Sequence, residues 1–80
     1  MTTTEQTQKI RDFLINHIGS DKFSDKEDLF KQGLVNSLFA MELVNFIETE
    51  FGFEISNEDL KLDNFRSVDA LNTLVLKNKN

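Results

Sequence analysis

Gly33-Leu34-Val35-Asn36-Ser37-Leu38, and the run from Leu38 to Phe51 that it opens, decide how the rest of the chain is read. No Gly or Pro interrupts that run, and its length suits an ordinary helix. Asn36 and Ser37 stand where the first free backbone N–H groups need a side-chain oxygen, and either residue caps well. At about 100° per residue from Ser37, Ala40, Leu43, Val44, Ile47 and Phe51 share one face, which reads as a core stripe. Leu38, Met41, Glu42, Asn45, Glu48 and Thr49 fall broadly on the other. Leu38 and Met41 are out of place there, since polar residues would suffice on a solvated face.

Upstream, Ile10, Phe13, Leu14 and Ile18 repeat at helical spacing, so residues 4–18 read as a first helix. Thr3 and Gln6 have the spacing of a capping box at its start, and Gly19 suits its C-cap. His17 has no Cys or second His near it, so a helix-surface or half-buried residue is the expectation rather than a ligand or base. Residues 19–35 form a long connection, and a loop of this length in a small domain needs a reason to be ordered. Phe23, Leu29, Phe30, Leu34 and Val35 supply one by pinning it over the helices, and residues 25–31 have room for a short helical turn. Asp21 begins no calcium-loop pattern, because Phe23 and Asp25-Lys26 break the required ligand spacing.

Downstream, Gly52 ends the central helix and Phe53-Glu54-Ile55 reads as a short extended piece. Ser56 with Asp59 can cap a brief helix containing Leu60, and Asp63 to Arg66 reads as a turn. Ser67 opens a last helix with Val68, Leu71, Leu74 and Val75 facing in, and the basic residues of Lys77-Asn78-Lys79-Asn80 lie at the helix end that favours cations. The expected fold is therefore all-α. It is one domain over residues 1–80, ordered from about 4 to 77, with three main helices, one short helix and a long first loop.

Eighty residues allow only about 60–65% of the unfolded chain's surface to be buried. Eight Phe and a supply of Leu, Ile and Val are enough for a small helical core without metal or disulfide, and there is no Cys to form one. No apolar run approaches the ~20 residues of a membrane span, and residues 1–5 lack the pattern of a signal peptide. A cytoplasmic monomer is the expectation. Residues 1–35 balance six acids against five bases, whereas residues 36–63 hold seven acids against Lys61 alone. A charge run is often only a solvated face. Its coincidence with the Ser37 helix favours a docking surface for basic partners and disfavours nucleic acid. No metal-ligand cluster or glycine-rich phosphate loop is present, and one His on another helix with no Asp to orient it is poor support for a nucleophilic serine. The chain reads as a non-enzyme.

A serine at a helix start is ordinarily a plain cap. Here a glycine-introduced loop precedes it, an exposed apolar pair lies beside it and an acidic helix follows it. With these features the chain resembles the acyl carrier protein family, in which a G-[LIV]-[LIV]-D-S-[LM] motif bears the serine that receives 4'-phosphopantetheine. The resemblance covers nearly the whole chain, and Asp28-Leu29-Phe30 is similar to a stretch of that family's first loop. It implies a covalent arm on Ser37, made from coenzyme A by a phosphopantetheinyl transferase. The arm would carry acyl groups as thioesters to acyl-loading and ketosynthase- or condensation-type enzymes. Leu38, Met41, Glu42, Asn45 and Glu48 would meet those partners, and Ala40, Ile47, Ile55 and Leu60 would shelter the cargo between the second and third helices. The one departure is Asn36 for the usual Asp. With Phe39, it removes charge from the place where the transferase docks, so Asn36 is read as both cap and recognition residue. Those two residues and Asp59 to Phe65 look more like discrete polyketide or nonribosomal-peptide carriers. A fatty-acid carrier, or an unmodified acidic interaction domain, is the alternative.

Overall fold

A computed structural model of the protein describes residues 3–78. Three α-helices, α1 (Thr3–Ile18), α2 (Ser37–Phe51) and α3 (Val68–Asn78), make up the frame, with two 3₁₀ turns, Asn57–Asp59 and Leu62–Phe65, between α2 and α3. None of the described helices is long and apolar enough to cross a membrane.

Helix α1 buries Gln6, Ile10 and Leu14, one turn apart on a single stripe. The side chain of Thr3, and with it the capping box expected at this end, lies outside what the structure describes. The Gln6 amide points instead across the bundle, where Nε2 donates to Asn72 Oδ1 at 3.0 Å and to the Asn72 carbonyl at 3.3 Å. Asn72 Nδ2 in turn donates to Thr7 Oγ1 at 2.7 Å, so a partly buried polar clasp ties α1 to α3. Gly19 closes α1 as expected, its N–H donating to the Ile15 carbonyl at 2.7 Å.

Helix α2 starts at Ser37 because Asn36 is extended and its Oδ1 accepts the Phe39 N–H at 2.9 Å. It stops at Gly52, whose φ of 72° is left-handed and whose N–H returns to the Glu48 carbonyl at 3.0 Å. The buried stripe is Phe39, Leu43 and Ile47, while Ala40, Val44 and Phe51 are half-buried. The core axis is thus rotated one position back from the expected one. Packing against α1 draws Phe39 inward and leaves Ala40 and Val44 on the shoulder that meets the 3₁₀ turns.

The single short helix expected around Leu60 is replaced by the two 3₁₀ turns, and Leu60 lies in the break between them, 45% exposed. Asp59 explains the break. Its carboxylate is drawn to Lys77 Nζ at 2.7 Å and accepts from Ser56 Oγ at 3.3 Å, while its carbonyl accepts from Asn64 Nδ2 at 2.7 Å. The backbone is therefore claimed by side chains before a longer helix can form. Ser67 caps α3 by accepting the Ala70 N–H at 3.1 Å, and Val68, Leu71, Leu74 and Val75 are buried as their spacing requires.

The first loop has no helix, only hydrogen-bonded turns, and it is pinned both by side chains and by backbone. Phe23, Leu29 and Val35 are buried, and the Arg11 guanidinium lies 4.4 Å from the Phe23 ring centroid while bonding Asp25 at 2.7 Å. The Leu29 N–H donates to the Arg66 carbonyl at 2.7 Å, the Asp69 N–H donates to the Asp25 carbonyl at 2.9 Å, and Arg66 pairs with Asp28 at 3.0 Å. A bond from the Lys31 N–H, then Arg66, holds the Asp28 carboxyl below its ordinary range.

Candidate functional site

The loop and the Asn36 cap together present Ser37 as the exposed first residue of α2. Asn36 uses its side chain on the Phe39 N–H and its carbonyl on the Ala40 N–H at 3.0 Å. Among the described residues the Ser37 and Leu38 N–H groups have no such acceptor, so two donors remain free at the positive end of the helix. That arrangement favours an anion on the Ser37 oxygen, and a phosphodiester there fits it.

Beside Ser37 lies an open groove of about 210 Å³, lined by Ala40, Met41, Val44, Leu60, Lys61, Leu62 and Phe65. Of the four residues expected to shelter cargo, Ala40 and Leu60 line it. Ile47 and Ile55 do not; they are 0% and 7% exposed and belong to the core. The groove therefore runs between α2 and the 3₁₀ turns, not deeper in the bundle. Ile55 is turned inward because its N–H donates to Glu48 Oε2 at 2.8 Å, which ties the chain after Gly52 back onto α2. Steps of three or four from Ser37 would have found Met41 and Val44. No periodicity announces Lys61, Leu62 or Phe65, because tertiary hydrogen bonds set the course of their segment.

Four of the five residues expected to meet partners are exposed. Leu38 and Met41 are 77% and 70% exposed, with Glu42 and Asn45 exposed beside them. Glu48 is half-buried and engaged with Ile55, so it is a brace and not a free rim acid.

Phe39 has a further role that charge reasoning missed. The His17 ring stacks on it at 3.6 Å, Phe13 stacks on it at 5.6 Å, and Phe13 continues to Phe46 at 4.2 Å. This aromatic ladder fills the contact between α1 and α2 and seats α2 against α1. Among the described residues no group of three or more His, Cys, Asp or Glu is placed to hold a metal.

The far wall of the groove hangs on the Asp59–Lys77 pair. The Lys77 hydrogen bond holds the Asp59 carboxyl below its ordinary range despite the opposing effect of burial, and the same bond raises Lys77. A carboxyl lowered in the fold stabilises above its unfolded pKa of about 3.9, and that stability is lost as pH falls through the lower folded value. Urea midpoints measured from pH 6 down to pH 2.5 should therefore separate wild type from Lys77→Met at the upper end and converge at the lower. Parallel curves would mean the pair contributes nothing.

A family model described as the phosphopantetheine attachment site matches residues 9–75, from within α1 to within α3. No curated protein matches the sequence.

Proposed function

Since the chain belongs to the phosphopantetheine-attachment family of carriers, whose members carry the group covalently and are not catalysts, we propose that Ser37 is the residue that bears the 4'-phosphopantetheine arm. When bound, the group supplies a thiol that holds an acyl cargo as a thioester. The observation that carries this reading is the exposure of Ser37 at the start of α2, with two free N–H groups and an apolar groove beside it. Ser67, the other serine at a helix start, is half-buried and its Oγ is used by Ala70. The transferase would deliver the arm from coenzyme A: Ser37 Oγ bonds to the phosphorus nearest the pantetheine, the pyrophosphate bond breaks and adenosine 3',5'-bisphosphate leaves. The Oγ proton passes to a base on the transferase. Intact mass of the protein, with and without transferase and coenzyme A, tests the reading; no mass gain would favour an unmodified interaction domain.

The carrier would act as a monomer that presents cargo to acyl-loading and ketosynthase- or condensation-type enzymes. Asn36 and Phe39 in the motif support a discrete polyketide or nonribosomal-peptide pathway over fatty-acid synthesis. Leu38 and Met41 would be the anchors of those contacts, because desolvated apolar groups carry more affinity than rim charges. Met41→Asp should cut turnover by a partner at least about tenfold, the cost of losing one 1.4 kcal/mol anchor, while leaving the melting temperature within a few degrees. Unchanged turnover would make the face idle surface.

Asn36 links cap to recognition. Asn36→Asp keeps an acceptor for the Phe39 N–H, so stability should move by less than about 1 kcal/mol. A charge restored at this point should speed modification by a broad-specificity transferase roughly ten- to a hundredfold, if a basic residue there gains a charge-assisted bond of about 1.5–3 kcal/mol. Equal initial rates of holo-protein formation would leave Asn36 as a cap alone.

A further inference from the structure

Lys61 lines the same groove as Ser37, within the stretch of chain richest in acids. Its flanking carboxylates do not neutralise it. Asp59 is bonded to Lys77 at 2.7 Å and Asp63 to Arg66 at 2.8 Å. Of the three cations between residues 36 and 78, Lys61 alone has no ion pair among the described residues. Ala40, Val44, Leu62 and Phe65 make the lining largely apolar, and Lys61 is the one cationic residue in it. The groove's volume of about 210 Å³ gives room for a short acyl group.

We propose that this groove is a subsite for a short acyl group bearing its own free carboxylate, with Lys61 as the counter-ion. The proposal rests on Ser37 carrying the arm. Carbon atoms next to the thioester would lie over Ala40 and Val44, and the distal carboxylate would reach the Lys61 ammonium. On this acidic segment an anionic cargo would otherwise be repelled. The arm brings a second anion, its phosphodiester, but the free N–H groups of Ser37 and Leu38 already stand at that position.

The test uses three forms of the full chain, made by a transferase that accepts acyl-coenzyme A: arm with free thiol, with butyryl and with succinyl. Butyryl and succinyl have the same number of carbons and differ in the terminal carboxylate. Intact mass first verifies the arm on Ser37; its absence would defeat the carrier reading and this proposal together. Nitrogen-resolved NMR then follows the Lys61 ammonium and the Leu62 amide, and phosphorus NMR follows the phosphodiester. The expected result is a shift of both Lys61 and Leu62 signals in the succinyl form only. Lys61→Gln should reduce the Leu62 shift roughly two- to fivefold along with the docked fraction, the range for a partly exposed ion pair. Equal spectra for butyryl and succinyl would overturn the proposal. So would a Lys61→Gln effect on the phosphorus signal of equal size in all three forms, which would assign Lys61 to the phosphodiester.

Discussion

Ser37→Ala should abolish the mass gain on treatment with transferase and coenzyme A while leaving the fold in place. The hydroxyl of Ser37 makes no bond that the helix needs. The cap is Asn36, whose Oδ1 already holds the Phe39 N–H at 2.9 Å. Alanine is the best helix former, so replacing serine at this first helical position should change stability by no more than about 0.5 kcal/mol. Circular dichroism and a urea midpoint close to wild type would therefore accompany complete loss of modification. A mass gain that persists in the alanine variant would put the arm on another side chain and remove the basis for reading the groove as a cargo site. A lost gain accompanied by unfolding would instead mean that Ser37 is structural, which the observed cap argues against.

Phe39→Ala should be the most destabilising of the substitutions considered. Phe39 is only 3% exposed, and its ring is sandwiched in the ladder between His17 and Phe13. Truncating a buried aromatic costs about 3–5 kcal/mol, against the roughly 5–15 kcal/mol that holds a domain of ordinary stability. The chain should lose most of its resistance to urea, and helix α2 should lose its fixed seat against α1. Phe39→Leu, which keeps much of the volume but not the stacking, should cost less than half as much. A loss below about 1.5 kcal/mol for the alanine variant would show that the ladder is incidental packing.

The two substitutions bear on how much of the molecule is legible in its sequence. The two ends of α2 are legible because cap chemistry is local: an oxygen at Asn36 and a left-handed glycine at Gly52 need no distant partner. Helix α3 is legible because α1 and the second 3₁₀ turn both pack on one apolar stripe, Val68, Leu71, Leu74 and Val75. Helix α2 is harder, because α1 and the 3₁₀ turns pull on two shoulders of the same helix. The expected stripe through Ala40 and Val44 therefore misses Phe39, and Phe39 reads as a missing acid instead of a core ring. Glu48 and Asp59 are illegible for another reason. A carboxylate that braces a backbone N–H, or unwinds a helix by pairing with Lys77, looks in sequence like any other surface acid. The free charge of Lys61 follows only from knowing where Asp59 and Asp63 have gone.

The pinned first loop has a consequence in time. Arg11 of α1 holds its first part through Asp25, but the fastening points of the rest lie late in the chain: Arg66, 38 residues beyond Asp28, and the N–H of Asp69. The three helices rest largely on neighbouring residues and can begin to form in about a microsecond. The rest of the loop cannot be fastened until the start of α3 has been brought back to it, so order there waits on the slow closure of a long segment. In the native protein the same asymmetry runs in reverse. A brief detachment of Arg66 and Asp69 would loosen residues 26–34 while the helices and the Arg11–Asp25 pair stay in place, and the Leu29 amide would exchange with solvent through that partial opening rather than through global unfolding. Ser37, the proposed attachment residue, thus follows a segment whose order depends on contacts made late in the chain.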